Sequence, residues 1–93
     1  MAKLKDGTEV DLELFKFDAC PFCVRVYRVL DQMGIREAVR MRDTWQEPGA
    51  NAELIERGGK RQVPCLFIDG EPLFESRDII AWLRAYAVRP SRA

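Results

Sequence analysis

Residues 14–33 read LFKFDACPFCVRVYRVLDQM, and this stretch carries the reading of the fold. Upstream, Val10, Leu12 and Leu14 alternate with Asp11 and Glu13, the two-residue period of a strand. From Leu14 to Phe17 the second face turns apolar too, so the strand enters a sheet interior. Past Asp18–Ala19 the period changes. Val26, Val29, Leu30 and Met33 fall at i, i+3, i+4 and i+7, with Arg25, Arg28, Asp31 and Gln32 on the opposite side, which is an amphipathic helix. Pro21 suits its first turn, where a missing N–H would be unpaired anyway, and Gly34 suits its end. Cys20 therefore stands at a strand-to-helix corner, and Cys23 one turn further in.

Working outward, Asp6–Gly7–Thr8 is a turn signal and residues 35–41 read as a second strand. Residues 44–50 are irregular, and a short helix over 51–57 stops at Gly58–Gly59. A third strand runs from Val63 to Ile68. Asp69–Gly70 predicts a hairpin to a return strand over Glu71–Phe74. Ser76 can cap a last helix that gathers Ile79, Ile80, Leu83, Tyr86 and Ala87 on one face. The order β-α-β-α-β-β-α predicts an α/β fold, a four-stranded sheet flanked by three helices. Its first three strands are parallel or mixed at one edge, and its last pair is antiparallel. One domain over residues 1–93 is expected, with a core over about 10–87 and a frayed tail over 88–93.

The chain has 93 residues, 47% of them hydrophobic and 32% charged, an ordinary globular balance. Lys plus Arg and Asp plus Glu both number 15, so no global charge draws the chain toward nucleic acid or a membrane surface. No run approaches the roughly 18 apolar residues of a membrane span. The first residues show no apolar segment with a cleavage pattern, so the expected location is cytoplasmic, where thiols stay reduced. With no histidine, Cys–His catalysis and His-ligated zinc are excluded. Three cysteines also cannot close a four-cysteine zinc site within one chain.

Three readings of the cysteine pair stand side by side: a redox couple, part of a metal site, or two buried small hydrophobes. The strand-to-helix corner is the context of the first. Unpaired N–H groups at the helix start favour a negative sulfur on Cys20, and a thiolate is the attacking species in disulfide exchange. Cys23 is placed to resolve a mixed disulfide formed on Cys20. Phe22 offers an apolar surface to a docking partner. A metal cluster shared between two chains stays open. Cys65, directly after Pro64, reads either as a core hydrophobe or as a third reactive thiol, and Trp45 and Trp82 as packing or surface residues.

CPFC, Val63–Pro64 and the stretch PLFESRDIIAWL together resemble the glutaredoxin family over about residues 11–87. Glu75–Ser76 is also similar to the pair that binds the γ-glutamyl group in the N-terminal domain of glutathione S-transferases. The resemblance implies a thioredoxin-like fold and a Cys20 nucleophile with Cys23 resolving. It implies a cis bond before Pro64, with the Val63 main chain holding the cysteinyl part of glutathione. Glu75, Ser76 and Asp78 would take the γ-glutamyl end, and Arg61 the glycyl carboxylate. Glutathione is then the co-substrate, no metal is expected, and the partners are disulfide-containing or glutathionylated proteins acted on by a monomer.

The chain departs from the family at several positions. Phe17 stands where many members carry lysine, with Lys16 as its neighbour. Phe74–Glu75 replaces a double glycine, and Arg77 occupies a position often held by aspartate. The expected activity is glutathione-dependent thiol–disulfide oxidoreduction. Two alternatives are a thioredoxin-like dithiol reductant of one partner and a dimer binding a glutathione-ligated iron–sulfur cluster. Pro21 stiffens the loop against the second.

Overall fold

The computed structural model describes residues 1–88 of the chain. Its main sheet is built from β3 (Leu12–Lys16), β4 (Val39–Asp43), β5 (Cys65–Ile68) and β6 (Glu71–Phe74), in the order β4-β3-β5-β6. The pair β3 and β4 is parallel, with Leu14 opposite Met41. The pairs β3–β5 and β5–β6 are antiparallel, so the sheet is mixed, and its third strand runs against its first. Three helices flank it: α1 (Pro21–Met33), α2 (Ala50–Gly58) and α3 (Ser76–Tyr86). The architecture is the α/β thioredoxin-like fold.

The two faces of β3 decide how the helices pack. Leu12 and Leu14 point into a core shared with Val26, Val29 and Leu30 of α1 and with Ile79 and Leu83 of α3. Each such fully buried side chain contributes roughly 1.5–3 kcal/mol of transfer free energy. Glu13 and Phe15 point the other way, toward α2, where Phe15, Ala50, Leu54, Cys65 and Phe67 form a second cluster. The rings of Phe15 and Phe67 meet edge to face at 5.4 Å.

Glu13 is the polar member of an alternating pattern, yet it is only 2% exposed. The face it occupies is covered, and its charge is matched. Its carboxylate accepts hydrogen bonds from Arg42 on β4 and Arg57 on α2, while Glu47 and Glu53 share the same guanidinium groups. Both guanidinium groups also lie over the Phe15 ring. A buried charge persists only when paired in this way.

Several expectations are corrected by the structure. Residues 35–38 are not strand. Gly34 turns left-handed (φ 69°) and Ile35 drops into the core, which mimics alternation; a 3-10 turn, Arg36–Ala38, follows before β4 begins at Val39. The third strand starts at Cys65 rather than Val63: residues 63 and 64, joined by a cis peptide, are not paired in the sheet. The N-terminal residues form a hairpin, β1 (Ala2–Leu4) and β2 (Glu9–Val10), turning at Gly7 (φ 91°). The C-terminal β7 (Ala87–Val88) pairs with β1 to make a second small sheet, so Val88 belongs to a strand and not to a tail. The rest of the expected frayed tail lies outside the described residues. Among the described residues no helix is long and apolar enough to cross a membrane.

Candidate active site

The site is assembled where β3 hands the chain to α1. Cys20 occupies the cap position before α1 in extended conformation (φ −81°, ψ 117°), and Pro21 is the first helical residue. The first intrahelical bond runs from Val24 N–H to the Cys20 carbonyl at 3.1 Å. The N–H groups of Phe22 and Cys23 are first-turn donors without an intrahelical acceptor, and the Cys20 side chain makes no capping hydrogen bond. All three cysteines are free thiols. Both cysteines of the pair are buried, Cys20 keeping 7% exposure and Cys23 none.

The Cys20 and Cys23 thiols act on each other electrostatically. Burial pushes the Cys23 thiol well above its ordinary range, and the neighbouring Cys20 adds to the rise. A backbone hydrogen bond at Phe17 and the Lys16 charge work in the opposite direction. Cys65 sits on β5, fully buried on the α2 face, with its thiol pushed up to about 12, first by burial. That makes Cys65 a core residue and removes the reading of it as a reactive third thiol.

A cavity of about 480 Å³ opens beside Phe22. Val63 and Pro64 form one wall and Glu75 and Ser76, at the start of α3, form another. Arg25, Gln62 and Arg77 complete the lining. Five of the residues singled out in the sequence thus meet on one cavity: Phe22, Val63, Pro64, Glu75 and Ser76. Two do not. Asp78 is exposed and absent from the lining, because one helical step beyond Arg77 turns it away. Arg61 lines a smaller cavity of about 140 Å³ with Phe17 and Trp45, which adjoins the first at Gln62 and Val63.

The start of α3 differs from expectation. Ser76 does not cap the helix through its side chain. The cap position belongs to Glu75, whose backbone (φ 73°, ψ 119°) lies in a region that normally requires glycine. Ser76 is the first helical residue and is 8% exposed. Ile79 N–H bonds the Glu75 carbonyl at 3.0 Å, so the donors of residues 76–78 have no intrahelical acceptor. A helix start of this kind takes a carboxylate.

Lys16 faces α1, with its ammonium 5.7 Å from the Tyr27 ring, and is held between Asp18 at 3.0 Å and Asp43 at 3.2 Å. Burial alone would lower its pKa, but the hydrogen bonds it donates to Asp18 and Asp43 outweigh that and raise it. Its ammonium is engaged beneath the cysteine pair and is not available at the cavity mouth. Phe17, on the opposite face of the strand, stacks on Trp45 at 5.3 Å. Sequence reasoning did not select Gln62, Arg25 or Trp45. The adjacency of Gln62 to Val63–Pro64 was the one available signal. Among the described residues no group of three or more His, Cys, Asp or Glu side chains is clustered as a metal site.

With this geometry in place, comparison with known proteins is informative. The glutaredoxin family model matches residues 12–73. Glutaredoxin-C6 of Oryza sativa subsp. japonica is 29% identical over 83 residues, which cover 87% of this chain and 74% of that protein. The buckwheat glutaredoxin–glutathione complex superposes with a TM-score of 0.65 at 28% identity, covering 81% of this chain and 69% of that one. A glutathione transferase family member from Pseudomonas fluorescens Pf-5, solved with bound glutathione, gives a TM-score of 0.68 at 29% identity. The match covers 78% of this chain but only 37% of that transferase.

Proposed function

The chain belongs to the glutaredoxin family, and on that premise we propose that it reduces glutathione mixed disulfides and protein disulfides with glutathione as co-substrate. The observation that carries the reading is the pair of helix starts bordering one cavity. Cys20 caps α1, Phe22 and Ser76 line the same cavity, and Val63–Pro64 lies in its wall. Glutathione carries a thiol between two carboxylate-bearing ends. The cavity offers Arg25 and Arg77 for negative charge and the free N–H groups of α3 for a carboxylate. The Val63 main chain is unpaired in the sheet and available to the cysteinyl peptide. Glu75 is an acceptor for the γ-glutamyl amine.

The mechanism follows from disulfide exchange. The Cys20 thiolate attacks the glutathionyl sulfur of a mixed disulfide. The protein sulfur leaves as a thiolate and takes a proton, and Cys20 becomes glutathionylated. A glutathione thiolate then attacks that glutathionyl sulfur, releasing glutathione disulfide and restoring Cys20. With a protein disulfide, Cys20 forms the mixed disulfide with the protein. Cys23 loses its proton and attacks the Cys20 sulfur, the reduced protein leaves, and two glutathiones return the Cys20–Cys23 disulfide to thiols. Burial of Cys23 keeps it protonated until this second step. Glutathione is held reduced in the cytoplasm, which is the compartment this reading implies.

Trapping tests the assignment. Cys23→Ser exposed to glutathione disulfide should gain the mass of one glutathionyl group, mapped to Cys20. A label on Cys65, or none at all, would refute it.

A further inference from the structure

Beside the segment that leads into Cys20, the chain builds an aromatic shelf that glutathione reduction does not require. Trp45 stacks on Phe17 with 18° between the rings, and the indole remains 77% exposed. One face of the indole is covered by Phe17 and the other is open. The shelf is held in place by Asp43, whose carboxylate accepts from the backbone N–H groups of Trp45 at 2.8 Å and Gln46 at 2.9 Å. The two rings border a cavity of about 270 Å³ together with Asp18, Ala19 and Asp43. Ala19 precedes Cys20, so the shelf begins one residue from the attacking sulfur.

The charges here are opposite to those of the large cavity. That one carries Arg25 and Arg77. The lining of this one includes no cation; Arg61 meets the same two rings from the adjoining cavity of about 140 Å³, whose lining includes neither Asp18 nor Asp43. Asp18 and Asp43 share a single ammonium, Lys16, which leaves one net negative charge at the edge of the shelf. Asp18 is the outer acid, with its side chain 65% exposed. Its hydrogen bonds from Lys16 and then Tyr27 keep it ionised.

We propose that the Trp45–Phe17 shelf, edged by Asp18, binds an arginine or lysine side chain next to the disulfide-bonded cysteine of a protein substrate. The proposal rests on the function proposed above and adds a substrate preference to it. An open indole face attracts a cation through the ring quadrupole, and a carboxylate beside it adds a charge partner. The active-site rim is then two-sided, with a basic side for anionic glutathione and an aromatic, acidic side for a cationic polypeptide.

The test uses three glutathionylated peptides that differ only in the residues flanking the cysteine: arginine, alanine or glutamate. The wild-type protein should turn over the arginine peptide with a kcat/KM roughly tenfold above that of the glutamate peptide, a gap that shrinks with added salt. Trp45→Ala and Asp18→Asn should each reduce this ratio to about twofold, with every variant referenced to its own rate on a small mixed disulfide. Trp45→Phe should keep most of the preference. Equal rates on the three peptides, or a preference that survives both variants, would overturn the proposal while leaving glutathione reduction intact. Loss of wild-type activity on the small mixed disulfide itself would instead overturn the function on which the proposal rests.

Discussion

The side-chain amide of Gln62 donates to the Glu75 carboxylate at 3.0 Å, across the mouth of the large cavity. This bond ties the residue before Val63–Pro64 to the residue before α3. Glu75 needs such a tie, because its φ of 73° is unfavourable for any side chain. A non-glycine residue held there costs about 1–3 kcal/mol. The family's glycine at this place would avoid that strain but would lose the carboxylate.

Glu75→Gly should therefore separate stability from binding. Unfolding free energy is expected to rise by about 1 kcal/mol in urea denaturation, after allowing for the extra chain entropy of glycine. Glutathione affinity, read by calorimetry, should fall several-fold in the same variant. A less stable variant would mean that the Gln62–Glu75 bond outweighs the strain.

Alkylation should distinguish the three thiols. Cys20 alone retains exposure, while Cys23 and Cys65 are fully buried and have raised pKa values. Iodoacetamide at neutral pH should modify one cysteine quickly in the native protein, and three in denaturant. Cys65→Ala should leave that native pattern unchanged. Rapid native labelling of Cys65 would contradict its assignment to the core.

The buried carboxylate on β3 gives a stability prediction. Glu13→Ala leaves Arg42 and Arg57 with Glu47 and Glu53 as partners, so the loss should be moderate, about 2 kcal/mol, below the full penalty for an orphaned buried charge. Thermal or urea unfolding reads this directly. A neutral result would show that the network carries no net stabilisation.

The same network predicts an acid response. Hydrogen bonds from Arg42 and then Arg57 lower the Glu53 pKa to about 2. A lowered folded-state pKa means that the stabilisation is present above the unfolded value, about 4.3, and is lost as pH falls toward the folded value. Stability should decline between those limits, and Glu53→Gln should flatten the decline. The effect is modest because the Glu53 side chain is partly exposed to screening solvent.

Much of this architecture was legible because local and global signals agree. Helix α1 has its proline start, its glycine end and an unbroken apolar stripe, and its observed bounds follow those marks. The Asp69–Gly70 hairpin was equally plain, since both residues adopt positive φ in the structure. The failures have physical causes. Ile35 is buried by its place after a left-handed glycine, and its spacing imitates a strand. The second sheet joins the two ends of the described chain through strands of two or three residues, too short to carry a period. In the candidate site, the cysteines and Val63–Pro64 announced themselves by motif. Trp45 did not, because only the fold brings it onto Phe17. Asp78 and Arg61 were selected by position along the chain; the geometry leaves Asp78 off the large cavity and puts Arg61 in the smaller one that adjoins it.

The most direct test of the central claim is glutathione-coupled reduction of a small mixed disulfide by the wild-type protein, Cys20→Ser and Cys23→Ser. The account predicts an active wild type, no activity in Cys20→Ser, and activity retained in Cys23→Ser, because the mixed disulfide on Cys20 can be resolved by glutathione alone. Activity in Cys20→Ser, or a wild type inert toward glutathione, would contradict it.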